Sequence, residues 1–238
     1  MTTSFIEVSQ RKAAKIAGLA YVLSFVIAVW VNFGIFARLM VGADPAQTAR
    51  NILAHESLFR AGLVGFLLYC VAVLVLSAAL YAVLKPVDQN LALLAVFGRL
   101  VQALIWVLLT LNLFTALRLL SSPEYARVFP PDQLPVLARL YLSGFDHYYV
   151  GLFFWSLTGI IGASLWFKSR YVPAALAVFG ALASAWCAAC TIALFLFPGF
   201  PKAVNLWWFD MPMALFEIAL GFLLLVRGLR ASALPGST

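Results

Sequence analysis

Long apolar runs, separated by short polar segments, dominate the pattern of hydrophobic and polar positions along the chain. Most runs reach the roughly 20 residues that a helix needs to cross a bilayer, and the last reaches that length with its flanking residues. A β-barrel would need segments of about ten residues with alternating polarity. The pattern therefore predicts an all-α polytopic membrane protein with six transmembrane helices, at approximately residues 16–39, 60–84, 91–120, 142–167, 173–197 and 212–227.

The polar segments predict how the rest of the chain is organised. Residues 1–15 form a polar lead, residues 16–228 a single transmembrane domain, and residues 229–238 a disordered tail. In the first long loop, Asp44–Pro45 is typical of a helix start and predicts a short interfacial helix. The prolines of the second long loop exclude a long helix, although residues 132–142 are expected to begin one.

Composition supports the same class of protein. Hydrophobic residues make up 64% of the chain and charged residues 11%, whereas soluble domains are about half apolar and a quarter charged. The net charge of +7 does not indicate nucleic-acid binding, because basic residues lie singly or in small groups at the ends of apolar runs. There they set topology and contact headgroups. We therefore expect membrane lipids, and no nucleic acid, as partners.

The basic residues also predict the orientation of the spans. The N-terminal lead, the C-terminal tail and the two shortest turns together carry eight lysines and arginines against Glu7 and Asp88, whereas on the other side five acidic residues nearly balance seven basic ones. The positive-inside rule therefore predicts that both termini are cytoplasmic. The first apolar run is longer than the core of a signal peptide and no clear cleavage site follows it, so we expect it to remain in the mature protein.

Ionisable residues within or beside the predicted spans are the candidates for function, because charge is costly there and usually serves a purpose. Arg99 lies inside the third span and shares a helix face with Gln102. These residues predict an outward-facing intramembrane cavity that binds a lipid or a small amphipathic ligand. The predicted ligand-binding residues are Asn32, Arg60, Arg99, Gln102, Asp146, His147 and Glu217.

The same charges also allow a purely structural interpretation. Arg99 would pair with Glu217, and Arg60 with Glu56 or Asp146, because an unpaired charge in hydrocarbon is costly. Such ion pairs would link neighbouring helices without forming a binding site. Pairing and ligand binding both stay open at this point, since the sequence does not show which helices are neighbours.

The two histidines suggest an enzyme as an alternative function. An enzyme acting on a lipid headgroup would use His147 as acid or base, assisted by Asp146 or His55. His55, Glu56, Asp146 and His147 also carry atoms that bind Zn²⁺, but no HExxH motif is present. We therefore predict neither a metal nor another cofactor. A small transporter is a further alternative, and six spans would then require a homodimer.

One short sequence occurs twice. The letters LAVFG stand at residues 94–98, near the start of the third span, and again at residues 176–180, near the start of the fifth. Each copy follows a turn that contains lysine. This similarity suggests a duplication of helical hairpins, which is common in transporter folds.

Several segments resemble a known family. They are RKAAKIAGLAY (11–21), NILAHESLFR (51–60), LKPV (84–87), FGRL (97–100) and KSRYVP (168–173). In this order they resemble a bacterial family of six-span integral membrane proteins that is catalogued as a domain of unknown function. The resemblance covers nearly the whole chain, and HESLFR is its most specific part. It implies six spans and a multi-pass location in the inner membrane, and it brings no activity or catalytic residues.

Overall fold

The structure is a computed structural model that describes residues 8–42, 44–130, 132–197 and 199–230. All regular structure in this part of the chain is helical, and no strand occurs in it. Six helical segments are long and apolar enough to cross a membrane: Val8–Leu39, Glu56–Leu84, Gln89–Ser121, Gln133–Ser169, Ala174–Leu196 and Trp208–Val226. The prediction of an all-α protein with six transmembrane helices is confirmed. The division into lead, domain and tail stays a prediction, and residues 1–7 and 231–238 lie outside the described part.

The α-helices follow one another with short connections. They are α1 (Val8–Val29), α2 (Ala37–Leu39), α3 (Pro45–Ala54), α4 (Glu56–Leu84), α5 (Gln89–Ser121), α6 (Pro123–Val128), α7 (Gln133–Leu142), α8 (His147–Ser169), α9 (Ala174–Leu196), α10 (Phe200–Ala203) and α11 (Leu206–Val226). A π-helical segment, Trp30–Phe36, joins α1 to α2, and a 3-10 turn, Ser143–Asp146, joins α7 to α8. The first span is therefore continuous from α1 through α2.

Two helices begin earlier than the apolar runs predicted. α1 begins at Val8, where the prediction placed the first span from residue 16, and α4 begins at Glu56, where it placed the second from residue 60. The additional residues include lysine, arginine, glutamine and glutamate, all of which favour helices. Apolar runs mark only the part of a helix that lies in hydrocarbon, so they underestimate its full length.

Pro212 lies inside α11, although the sequence predicted that the last span begins there. Proline has no N–H group, so Pro212 leaves the carbonyl of Trp208, four residues earlier, without its usual helical partner. Trp186 Nε1 donates to that carbonyl oxygen over 2.7 Å. A side chain of α9 therefore replaces the missing backbone hydrogen bond and lets α11 begin at Leu206.

The two long loops carry the short helices that the sequence predicted. The Asp44 carboxylate accepts a hydrogen bond of 2.9 Å from the Gln47 backbone N–H at the start of α3. α3 packs against α7, and Arg139 Nη2 of α7 donates to the Gly42 carbonyl oxygen over 2.7 Å. The loop helices are thus joined by apolar packing and by a hydrogen bond to backbone.

The contacts divide the chain into two compact units. Unit 1 contains the described residues of 1–25, 72–103 and 149–238, and unit 2 contains those of 26–71 and 104–148. Aromatic side chains fill much of the core of unit 2: the Phe36 ring stacks on the Phe66 ring with a centroid distance of 5.1 Å. The Trp106 ring lies 5.0 Å from that of Phe66. Each unit therefore has a core of its own.

Small residues determine the packing of unit 1. A Cβ atom at Gly18 of α1 would stand only 2.7 Å from the carbonyl oxygen of Gly221 in α11. Glycine at both positions lets the two backbones approach closely, as small residues commonly do between membrane helices. The first and the last span are therefore held in direct contact.

Both copies of LAVFG end on a glycine that receives a side chain from the next span. A Cβ at Gly98 of α5 would stand 2.4 Å from Thr158 Cγ2 of α8, and a Cβ at Gly180 of α9 would stand 2.4 Å from the ring of Phe216 in α11. The two copies therefore serve the same purpose in packing. The duplication of hairpins stays a prediction, which this shared contact supports.

Candidate functional site: a buried ion pair beside a cavity

Arg99 and Glu217 come together inside unit 1. Arg99 Nη2 of α5 donates to Glu217 Oε1 of α11 in an ion pair. The two side chains are only 6% and 14% exposed, so the pair lies largely out of contact with lipid. The structure thus shows the link between helices that the sequence offered as one of two interpretations.

Three further side chains contact the ion pair. Trp155 Nε1 of α8 donates to the same oxygen, Glu217 Oε1, over 2.8 Å. Arg99 Nη1 donates to Gln102 Oε1 over 3.4 Å. The Arg99 Cζ atom lies 5.9 Å from the centre of the Tyr21 ring, which is within the range of a cation–π interaction. α1, α5, α8 and α11 therefore meet at one polar network, whose members strengthen one another in a low dielectric.

A cavity adjoins this network and has the ion pair in its wall. Its other walls come from α1, α4, α8 and α11 and include Tyr21, Ser77, Tyr81, Thr158, Trp166 and Phe216. The space open to the centre of a water molecule is about 30 Å³. One buried water requires roughly 10–15 Å³ by this measure, whereas sites for drug-sized ligands are larger by an order of magnitude. The cavity therefore accommodates a small polar group and not a whole lipid.

The cavity extends from the ion pair towards the ends of helices that meet at the two shortest turns. Leu84 ends α4, Ala92 lies in the first turn of α5, and Trp166 lies in the last turn of α8; all three line the cavity. Under the predicted orientation these ends face the cytoplasm. The orientation of the termini and the outward-facing position of the cavity both stay predictions.

Two glycines of α8 differ sharply in their surroundings. Both Gly159 and Gly162 line the cavity. A Cβ at Gly159 would stand 2.3 Å from Ser184 Oγ, whereas a Cβ at Gly162 would have no atom within 4 Å. Ser184 Oγ is itself buried and has no hydrogen-bond partner within the described residues. Gly162 therefore opens onto free space, while Gly159 allows close packing against α9.

Only some of the predicted ligand-binding residues belong to this site. Arg99 and Glu217 line the cavity, and Gln102 contacts Arg99. The other predicted binding, catalytic and metal-ligating residues belong to unit 2 and do not line the cavity. They are Asn32, His55, Glu56, Arg60, Asp146 and His147.

The unit 2 residues have local roles where contacts are seen. Arg60 Nη2 lies 2.7 Å from Glu56 Oε1, one turn earlier on α4, and both side chains are well exposed. This ion pair is one of those that the sequence predicted. Asn32 Nδ2 donates to the Ala28 carbonyl oxygen of its own helical segment over 2.8 Å. These two side chains therefore contact residues of their own span.

The two histidines and Asp146 lie at exposed helix ends. His55 is exposed at the junction of α3 and α4, and Asp146 and His147 are exposed at the start of α8. No group of three or more His, Cys, Asp and Glu residues suited to a metal ion occurs within the described ranges. An acid–base role for His147 and Asp146 stays a prediction.

The sequence missed Trp155 and the aromatic walls of the cavity. A partial signal exists, because Trp155, Thr158 and Gly162 share one side of a helix at 3.6-residue spacing. That spacing shows which residues share a face, but it does not show that α5 and α11 lie opposite. Trp155 is a partner of Glu217 because α8 and α11 are neighbours, which the spacing does not reveal.

Six spans with a polar site among them define a multi-pass α-helical integral membrane protein. The chain belongs to the family described as Domain of unknown function (DUF4386), whose model matches residues 16–228. The resemblance to a six-span family of unknown function is thereby confirmed. No curated protein and no solved structure matches the chain.

Proposed function

We propose that this protein is an inner-membrane binding protein that takes the polar group of a small amphipathic ligand beside Arg99 and Glu217. The observation that carries the proposal is the position of the ion pair in the wall of a cavity. A pair that served only to link helices would gain from complete enclosure, because voids between packed helices cost stability. An open space next to buried charge instead suits a binding site.

The dimensions of the site favour an amphipathic ligand. A volume of about 30 Å³ holds a polar head and leaves a longer tail outside. The cavity is partly open, so the tail need not be enclosed. Aromatic and aliphatic side chains, among them Leu80 and Trp166, line the cavity next to the charges and would contact the first methylene groups of such a tail.

The resemblance to a bacterial family implies the inner-membrane location. The helical spans support it, because outer-membrane spans are typically strands of β-barrels. The enzyme alternative lacks a comparable observation, because its proposed acid–base residues are exposed and do not line the cavity.

Native mass spectrometry of the detergent-purified protein, with metal analysis on the same sample, tests this proposal. The matched variant is Gly162→Leu. A Cβ at this position meets no atom within 4 Å, so the leucine side chain can extend into the cavity and fill it. We expect a co-purified small molecule at a fixed ratio in the unaltered protein and its loss in the variant.

Two results would contradict the proposal. One is an unaltered protein that is empty and metal-free; the other is a bound molecule that Gly162→Leu retains at the same ratio. One metal ion per chain that His55→Ala or His147→Ala removes would favour the enzyme instead. Circular dichroism of each variant checks that the helices are retained.

A further inference from the structure

We infer that the ligand presents a cationic, hydrogen-bond-donating group of the primary ammonium type, and that Glu217 accepts it through Oε2. This inference rests on the proposed function and names the class of ligand that the same site takes. An arginine in a binding site ordinarily suggests an anionic ligand. The contacts around Arg99 and Glu217 indicate the opposite.

The two carboxylate oxygens of Glu217 have different surroundings. Oε1 accepts hydrogen bonds from both Arg99 Nη2 and Trp155 Nε1. Oε2 accepts no hydrogen bond from the described residues. It is also not one of their fully buried polar atoms, so part of its surface is accessible. Since Glu217 lines the cavity and Oε1 already has two donors, Oε2 is the oxygen to which a ligand would bind. A carboxylate offers about four acceptor positions, so the site has acceptor capacity to spare.

The Arg99 guanidinium already has several partners. Nη2 contacts Glu217, Nη1 contacts Gln102 and the Tyr21 ring lies 5.9 Å from Cζ, so an anionic ligand would have to share the guanidinium with them. It would also bring a second negative charge next to the Glu217 carboxylate in a region of low dielectric. A cation at Oε2 would bring a second positive charge near Arg99, but it would meet a carboxylate oxygen that accepts no hydrogen bond from the described residues.

The walls of the cavity favour a small cation as well. Tyr21, Tyr81, Trp166 and Phe216 supply aromatic side chains around the charged groups, and aromatic faces attract ammonium ions. A volume of about 30 Å³ suits a primary ammonium better than a quaternary one, which carries three methyl groups in addition. A primary ammonium also has three N–H donors for Oε2 and for the Tyr81 hydroxyl.

Binding of three probes that share one chain length tests the inference. Decylammonium, decyl sulfate and decanol are titrated separately into the purified full-length protein in a non-ionic detergent, with the thermal unfolding midpoint as readout. We expect decylammonium to raise the midpoint saturably by about 2–4 °C or more, and the other two to leave it unchanged. Lysophosphatidylethanolamine, which carries the same ammonium next to a phosphate, distinguishes a lipid headgroup from a free amine.

Variants separate specific binding from partition of the probes into the detergent. Glu217→Gln keeps the shape of the side chain but removes its charge, and we expect decylammonium affinity to fall at least tenfold. Gly162→Leu should abolish the response. Glu56→Gln is the matched control, because Glu56 forms an exposed ion pair in unit 2; its response should equal that of the unaltered protein.

The outcomes distinguish this inference from the proposal on which it rests. A saturable response to decyl sulfate that Gly162→Leu abolishes would overturn the cationic class and leave the binding function standing. No response to any probe, or responses that Gly162→Leu does not change, would overturn both. The comparison of probes on the unaltered protein remains decisive even if Glu217→Gln fails to fold.

Discussion

Arg99 and Glu217 stand 118 residues apart in the chain and form a buried ion pair through one carboxylate oxygen. Trp155 donates to the same oxygen, so three spans depend on a single acceptor. The pair therefore links these spans within unit 1 as long as both members are present, and the second carboxylate oxygen accepts no hydrogen bond from the described residues.

Loss of one member of the pair should destabilise the protein more than loss of both. Glu217→Leu leaves the Arg99 guanidinium buried without a counter-charge, and we expect a loss of about 3–5 kcal/mol in the free energy of unfolding. Arg99→Leu combined with Glu217→Leu should recover most of this loss. Unfolding of all four members of the cycle in detergent measures the coupling; additive effects would contradict it.

The exposed pair in unit 2 provides the contrast. Arg60 and Glu56 are separated by one helical turn, and their side chains are 53% and 36% exposed. Arg60→Gln should change the free energy of unfolding by about 0.5 kcal/mol or less. A loss in the free energy of unfolding as large as that expected for Glu217→Leu would contradict the exposed position of Arg60.

Alanine substitutions at two glycines should have opposite effects. Gly18→Ala places a Cβ 2.7 Å from the Gly221 carbonyl oxygen, and a backbone atom does not rotate away, so we expect a loss of about 1–3 kcal/mol. Gly162→Ala meets no atom within 4 Å and replaces a poor helix former, so it should be neutral or stabilising by up to about 1 kcal/mol. Thermal midpoints of the two variants give the comparison, and similar midpoints would contradict it.

The contact of Gly98 with Thr158 predicts a rescue. Gly98→Ala should destabilise the protein because its Cβ would stand 2.4 Å from Thr158 Cγ2. Thr158→Ser removes that methyl group and keeps the hydroxyl, which donates to the Trp155 carbonyl oxygen. The double variant should therefore be more stable than Gly98→Ala alone. Thr158→Ser by itself is the control. If the double variant is no more stable than Gly98→Ala, this contact does not limit how closely α5 and α8 approach.

Labelling of introduced cysteines tests the predicted orientation. Gln89 at the start of α5 and Gln133 at the start of α7 are exposed, and the native Cys70, Cys187 and Cys190 are buried. In intact cells with a permeable outer membrane, an impermeant maleimide should label Gln133→Cys. It should label Gln89→Cys only after the inner membrane is opened. The reverse pattern would place both termini outside and the cavity in the outer half of the bilayer.

The sequence predicted the spans well because their determinant is local. The hydropathy of about 20 consecutive residues decides whether a helix crosses the bilayer, and no knowledge of neighbours is required. The start of α11 was the exception, since a side chain from another helix, Trp186, replaces the hydrogen bond that Pro212 removes. Helix ends depend on such contacts and are correspondingly harder to predict.

The site was predictable only in part, and for a similar reason. Arg99 and Glu217 could be found because a charge within an apolar run is conspicuous, whereas Trp155 resembles any other aromatic residue of a membrane helix. The sequence grouped Arg99 with Asp146 and His147, which belong to the other unit. Sequence position shows which residues are ionisable, but only helix packing shows which of them meet.

The ion pair also has a consequence for biosynthesis. Arg99 enters the membrane with α5, and Glu217 follows after 118 further residues, an interval of roughly 6–24 s at a translation rate of about 5–20 residues per second. During this interval the arginine lacks its counter-ion, which costs about 2.5–3.5 kcal/mol at the centre of a bilayer. A nascent or truncated chain without the final span thus differs chemically from the finished protein, because its third span carries an arginine without this counter-ion.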